Sequence, residues 1–167
     1  LEDVVVTATR IQEMRKDIAN AVTILNEKDI QASGTKSVGE LIGNELGVDW
    51  QTYGNYGGAS QEIHIRGMRG NATQIMVNGI NVVSPSLGLA DIGKIPIESI
   101  ERIEIVKGSG SLLYGSGAMA GTVNIITKSP KKEKADLRIS SGYGTQNTYR
   151  IAAENGMFVG RDFGYYL

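Results

Sequence analysis

The chain has 167 residues, 17 Lys and Arg against 18 Asp and Glu, a net charge of −1, 22 Gly, 3 Pro and no Cys. That length suffices for a domain with a real core, and the near-neutral charge argues against nucleic acid as a partner. The absence of Cys rules out disulfides and thiolate metal sites, and no apolar run approaches the ~20 residues of a membrane-crossing helix.

Residues 1–10 read LEDVVVTATR. Val4, Val5 and Val6, followed by Thr7 and Thr9, predict extended backbone, which on these residues alone could be an ordinary first strand. Residues 11–20 carry mixed charge with no period and read as a linker or irregular segment. Residues 21–25 predict a short strand. Asn26 is placed to cap a helix over 27–32, ended by Gly34. Ser37 and Glu40 stand at capping-box spacing. The helix they open presents Val38, Leu41, Ile42 and Leu46 on one face and stops at Gly47. Residues 48–51 resume extended structure.

Residues 52–60 form a polar loop with three Gly and two Tyr. Residues 62–67 read as a strand, with Ile63 and Ile65 on one face and His64 and Arg66 on the other. His64 is the only His in the chain. With no second His and no Cys it reads as a structural polar residue, since a metal site needs several convergent ligands. No metal and no cofactor is predicted. Residues 74–77 and 80–83 flank Asn78-Gly79, the signature of a hairpin with a type I′ turn. Residues 84–90 are a Pro/Gly/Ser loop, and Pro96 suits the first position of a helical turn.

Residues 100–128, IERIEIVKGSGSLLYGSGAMAGTVNIITK, read strand, glycine-rich crossing, strand. Gly108, Gly110, Gly115, Gly117 and Gly121 surround Leu112-Leu113-Tyr114, which can make one helical turn. The spacing of Gly110 and Gly115 is that of a phosphate loop, but Ser116 stands where its Lys should be. Residues 115–120 match G-x-G-x-x-A, yet the following residues are strand-like, whereas a dinucleotide site needs a helix there. A soluble nucleotide- or small-molecule-binding domain built on this loop is the alternative reading. Beyond a charged turn at 129–134, apolar residues alternate with polar ones. Leu137, Ile139 and Tyr143 face Arg138, Ser140 and Gly142. Tyr149, Ile151 and Ala153 face Arg150, Ala152 and Glu154. Phe163, Tyr165 and Leu167 continue the pattern. This is the period-2 signature of strands with one apolar and one polar face, compatible with a small soluble meander or with membrane strands.

The stretch ERIEIVKG…LLYGSGAMAGTVNIITK resembles the closing segment of the plug domain of TonB-dependent outer-membrane receptors. The usual form is ERIEV-x-RGP-x-S-x-LYG-x-x-A-x-GG-x-INIITK. Here Lys107 replaces Arg, Ser109 replaces Pro, and Ala120 replaces the first Gly of the pair. Residues 65–67 (IRG), the turn Asn78-Gly79 in place of an LIDG-like one, IP-x-x-x-I at 95–100, and SV-x-EL with a later GV are also plug-like. Glu45 stands where a Pro is usual before that GV.

This resemblance covers nearly the whole chain. It implies an α+β plug with a small mixed β-sheet, short helices and long loops, followed by the first antiparallel strands of a transmembrane β-barrel. Residues 1–10 would be the TonB box segment, 11–134 the plug and 135–167 the first barrel strands. Two to three strands cannot close a barrel of the ~22 such transporters use, so the chain reads as truncated, and Leu1 fits a mature N-terminus left by signal cleavage. The implied function is to gate energy-coupled uptake of a scarce nutrient, not catalysis. Asp3, Val4, Val5, Val6 and Thr7 would bind the TonB C-terminal domain by strand addition. Tyr53, Asn55, Tyr56, Arg69, Asn71 and Leu87 would contact an iron–siderophore, haem or cobalamin substrate, with a lean to cobalamin from ADIGKIP at 90–96. Arg66 and Lys107 would lock the plug to its own barrel by pairing with acidic residues on the wall. The expected location is the bacterial outer membrane, with the N-terminus facing the periplasm.

Overall fold

A computed structural model describes residues 4–5, 13–14, 21–35, 37–54, 59–108, 115–130, 135–159 and 163–167. Two compact units are present, Leu1–Thr127 and Lys128–Leu167. In chain order the first holds β1 (Val4–Val5), β2 (Glu13–Met14), β3 (Ala21–Asn26), α1 (Glu27–Ser33), α2 (Val38–Gly43), β4 (Val48–Thr52) and β5 (Gln61–Ile65). It continues with β6 (Thr73–Val77), β7 (Ile80–Asn81), β8 (Ile100–Lys107) and β9 (Gly121–Thr127).

Its frame is a five-stranded sheet in the order β3-β8-β9-β6-β7. Strands β6 and β9 run parallel and the other pairs antiparallel, so the sheet is mixed. β8 is the organising strand because its β-branched residues alternate. Ile103 and Ile105 point to one face, in register with Leu25 and Thr23 on β3 and with Ile125 and Val123 on β9. That face meets Ile30 of α1, Val38, Leu41 and Ile42 of α2, and Val48, Ile63 and Ile65 of the β4–β5 ribbon, forming one core. Burying such aliphatic side chains contributes roughly 1.5–3 kcal/mol each. The opposite face is buried and mixed: Gln74, Glu104, Thr122 and Asn124 lie there beside Val22, Met76 and Val106. Glu104, 0% exposed, receives Arg102 Nε at 3.1 Å, as a buried carboxylate requires.

Both predicted N-caps form, and the capping box is complete at Asn26 and Asp29. Asn26 Oδ1 accepts the N–H groups of Lys28 at 2.9 Å and Asp29 at 3.3 Å, while Asp29 Oδ2 accepts the Asn26 N–H at 2.9 Å. Ser37 Oγ accepts the Glu40 N–H at 3.2 Å. Asn78 and Gly79 both take positive φ, 51° and 79°, which a type I′ turn needs.

Three expectations are corrected. Helix α2 ends at Gly43, not at Gly47, and Leu46 is 89% exposed rather than on the buried face. The chain there turns through Glu45 N–H to Ile42 O and Val48 N–H to Glu45 O, which leaves no helical position for Leu46. Strand β5 ends at Ile65. Arg66 sits in a left-handed turn at φ 56°, so strand alternation does not reach it and it does not share His64's face. Pro96 caps a short 3₁₀ turn (Ile97–Ser99) from outside, and does not occupy its first position. The predicted helical turn at residues 112–114 lies outside the described residues.

The second unit holds β10 (Asp136–Gly144), β11 (Thr148–Val159) and β12 (Phe163–Tyr166), an antiparallel meander. Leu137, Ile139, Tyr143, Tyr149 and Ile151 are exposed on one face. The Tyr143 and Tyr149 rings, paired across the strands, have centroids 5.0 Å apart. On the polar side Lys128 Nζ meets Glu154 Oε2 at 2.6 Å and the Tyr166 hydroxyl donates to the same oxygen at 2.7 Å. No described helix is long and apolar enough to cross a membrane, which says nothing of strands.

Candidate functional site

The β4–β5 ribbon turns Val48, Trp50, Ile63 and Ile65 to the core and Asp49, Gln51, Glu62 and His64 to the other face. Register places Gln51 opposite Glu62 and Asp49 opposite His64. Beside this outer face lie two turns. One, at 69–72, closes through Ala72 N–H to Arg69 O; the other, at 84–89, closes through Ser84 N–H to Leu89 O and Gly88 N–H to Ser84 O. Together they enclose a concavity of about 390 Å³ lined by Gln51, Tyr53, Glu62, His64, Arg69, Gly70, Asn71, Leu87 and Leu89. Gly70 lies close against two of these side chains. A Cβ there would stand 2.9 Å from Glu62 Oε2 and 3.2 Å from Leu89 Cδ2.

The ribbon is tied to the neighbouring chain through Asp91. Its Oδ1 accepts the N–H of Gln61 at 3.1 Å and of Gly93 at 3.0 Å, and its Oδ2 accepts the Ser60 hydroxyl at 3.1 Å. Burial alone would raise the Asp91 carboxyl. These donors and the Lys94 charge outweigh it and hold the group below its ordinary value. Inside the pocket the Glu62 carboxylate is the focus. His64 Nε2 lies 3.5 Å from Glu62 Oε2. Lost hydration pushes the Tyr53 phenol up, and the charge of Glu62 and a hydrogen bond to it push the same way against Arg69.

Of the residues the sequence offered for substrate, Tyr53, Arg69, Asn71 and Leu87 meet at this one concavity. Asn55 and Tyr56 lie outside the described residues. Gln51, Glu62, His64 and Leu89 were not foreseen. The signal for Gln51, Glu62 and His64 was present in the alternation of residues 61–65 once paired with residues 48–52. His64, expected as a structural polar residue, lines the pocket. No group of three or more metal-ligating side chains occurs among the described residues.

Arg66 and Lys107 come together at another place in the first unit. Arg66 Nη2 donates to Lys107 O at 3.2 Å, and Lys107 Nζ donates to Leu46 O at 2.6 Å. The two cationic side chains thus share one turn-rich corner. Val4 pairs with Met14 and Val5 with Glu13 in a separate antiparallel ribbon, not in the five-stranded sheet. Asp3, Val6 and Thr7 lie outside the described residues.

Comparison with known proteins places this geometry. Residues 15–122 match the family described as TonB-dependent Receptor Plug Domain. The vitamin B12 transporter BtuB of Photobacterium profundum is 35% identical over 147 residues, covering 88% of this chain and 24% of the relative. The vitamin B12 transporter BtuB of Vibrio cholerae is 30% identical over 159 residues, covering 95% of this chain and 26% of the relative. This chain therefore spans about a quarter of the length of these curated relatives. Among solved structures, BauA, the ferric preacinetobactin receptor of Acinetobacter baumannii, superposes with a TM-score of 0.75 at 22% identity over 98% of this chain and 24% of its own. The ferripyoverdine receptor of the outer membrane of Pseudomonas aeruginosa gives 0.76 at 20% identity over 94% of this chain and 20% of its own. The mixed sheet, its two helices and the trailing meander are the fold these receptors share, and the chain belongs to the TonB-dependent receptor plug domain family.

Proposed function

We propose that this chain is the plug, with the opening barrel strands, of an outer-membrane transporter that takes up a cobalamin-type nutrient at the expense of energy delivered by TonB. The observation that carries this reading is convergence. Tyr53, Arg69, Asn71 and Leu87 come from three separate loops and line one concavity on a hydrogen-bonded frame. Polar and aromatic groups on loops held by a rigid scaffold are a common way to recognise a small molecule. The vitamin B12 transporters among the relatives support a corrinoid ligand. They also support transport rather than catalysis.

In the same reading, residues 3–7 recruit the TonB C-terminal domain from the periplasmic side, and Arg66 and Lys107 face acidic groups of the barrel. The exposed apolar face of β10 and β11 meets lipid, since apolar residues at alternate positions are what a barrel strand turns outward. Titration of cyanocobalamin against the full-length receptor and its Tyr53→Ala and Arg69→Ala variants tests the ligand assignment. Each change is expected to weaken binding by about tenfold, the order of a lost contact of 1.4 kcal/mol. Wild-type affinity in both variants contradicts it.

A further inference from the structure

We propose that Glu62 selects the charge of the ligand, admitting a neutral or cationic molecule that presents N–H or O–H donors and rejecting anionic ones. This rests on the concavity being the ligand site. The Glu62 side chain is 13% exposed, and the nitrogen it meets is that of His64. No Lys or Arg nitrogen lies within 4 Å of its carboxylate among the described residues. Tyr53 lines the same concavity. The Glu62 carboxylate is thus a largely desolvated acceptor on the wall of the concavity. A charge withdrawn from water acts on a ligand more strongly than an exposed one. An anionic group brought to this floor would lose hydration and gain repulsion, which is the repulsive half of specificity. Donor groups such as carboxamide N–H or hydroxyl would instead complete the carboxylate's free acceptor positions.

The test uses the full-length receptor, with cyanocobalamin as neutral amide-bearing probe and a ferric catecholate as anionic probe. Glu62→Gln keeps the size and removes the charge, and it replaces one acceptor oxygen by an NH2 donor. It is expected to strengthen binding of the anionic probe by roughly tenfold or more and to weaken the neutral, donor-bearing probe. Asn71→Asp, on the exposed side of the pocket, adds charge and is expected to move the anionic probe the opposite way. If the anionic probe binds Glu62→Gln no better than wild type, the proposal is overturned, whatever the neutral probe does. If in addition Tyr53→Ala and Arg69→Ala leave the neutral probe unaffected, the concavity itself is not the ligand site. A response of the neutral probe to Tyr53→Ala, with no charge effect at Glu62, overturns the selector role alone.

Discussion

Asp91 shows how one side chain sets the position of a whole edge of the pocket. It gathers Gln61 N–H, Gly93 N–H and the Ser60 hydroxyl, and these donors with Lys94 depress its carboxyl in spite of burial. A depressed folded-state value means stabilisation that is complete above the ordinary aspartate value of 3.8 and lost as pH falls below it. The side chain is partly exposed, so screening keeps the effect below about 1 kcal/mol. Urea midpoints between about pH 6 and pH 3 should fall less steeply for Asp91→Asn than for wild type; parallel curves would remove Asp91 from the acid response. Arg66 makes a different point, because its backbone and side chain pull apart. A left-handed conformation costs a residue with a Cβ roughly 1–2 kcal/mol, while its hydrogen bond to Lys107 O returns ~0.5–1.5 kcal/mol. Arg66→Gly should therefore be about 1 kcal/mol more stable than Arg66→Ala by denaturant unfolding. If Arg66 locks the plug, both variants of the full-length receptor should leak small solutes. Unchanged permeability in both would end that role.

At the scale of the element, α2 and β4 are joined by a close fit that composition does not reveal. Trp50 lies across Gly43, and a Cβ at Gly43 would overlap Trp50 Cδ1. Gly43→Ala should destabilise the fold by about 1–3 kcal/mol, the usual cost of overpacking; a midpoint equal to wild type would show that Trp50 has room to move. The limits of the sequence reading lie at this scale. Strands β3, β8 and β9, the Asn26 and Ser37 caps and the Asn78-Gly79 turn were legible because each rests on local chemistry: β-branched runs, a side-chain acceptor, two positive φ angles. The end of α2 was not, because Leu46 continues the helical period and only the backbone turn at 42–48 takes it out. The end of β5 was not, because Arg66 continues the alternation and only its φ breaks it. Half of the pocket was hidden for a further reason. Gln51 and Glu62 are eleven positions apart, and only the β4–β5 register makes them neighbours. Loop residues such as Tyr53 and Asn71 could be named from composition, since a polar residue on a loop needs no register to be exposed.

At the scale of the molecule, two units with different surfaces follow one another. Leu1–Thr127 encloses an aliphatic core between sheet, helices and ribbon, whereas Lys128–Leu167 leaves its apolar alternation exposed. The barrel-strand reading proposed above would set that exposed face against lipid. The first unit carries its proposed coupling segment apart from its frame, as Val4 and Val5 pair with Glu13 and Met14 and not with the five-stranded sheet. A segment of this kind can exchange its partner for the edge of another sheet without dismantling the core. Proline there removes an N–H and fixes φ, so it should block strand addition while leaving the ligand pocket intact. The direct test is to measure labelled cobalamin on cells carrying the full-length receptor with Val5→Pro, scoring surface binding and internal uptake separately. The expected result is wild-type surface binding with uptake reduced to background; wild-type uptake by the Val5→Pro receptor would contradict energy coupling through this segment.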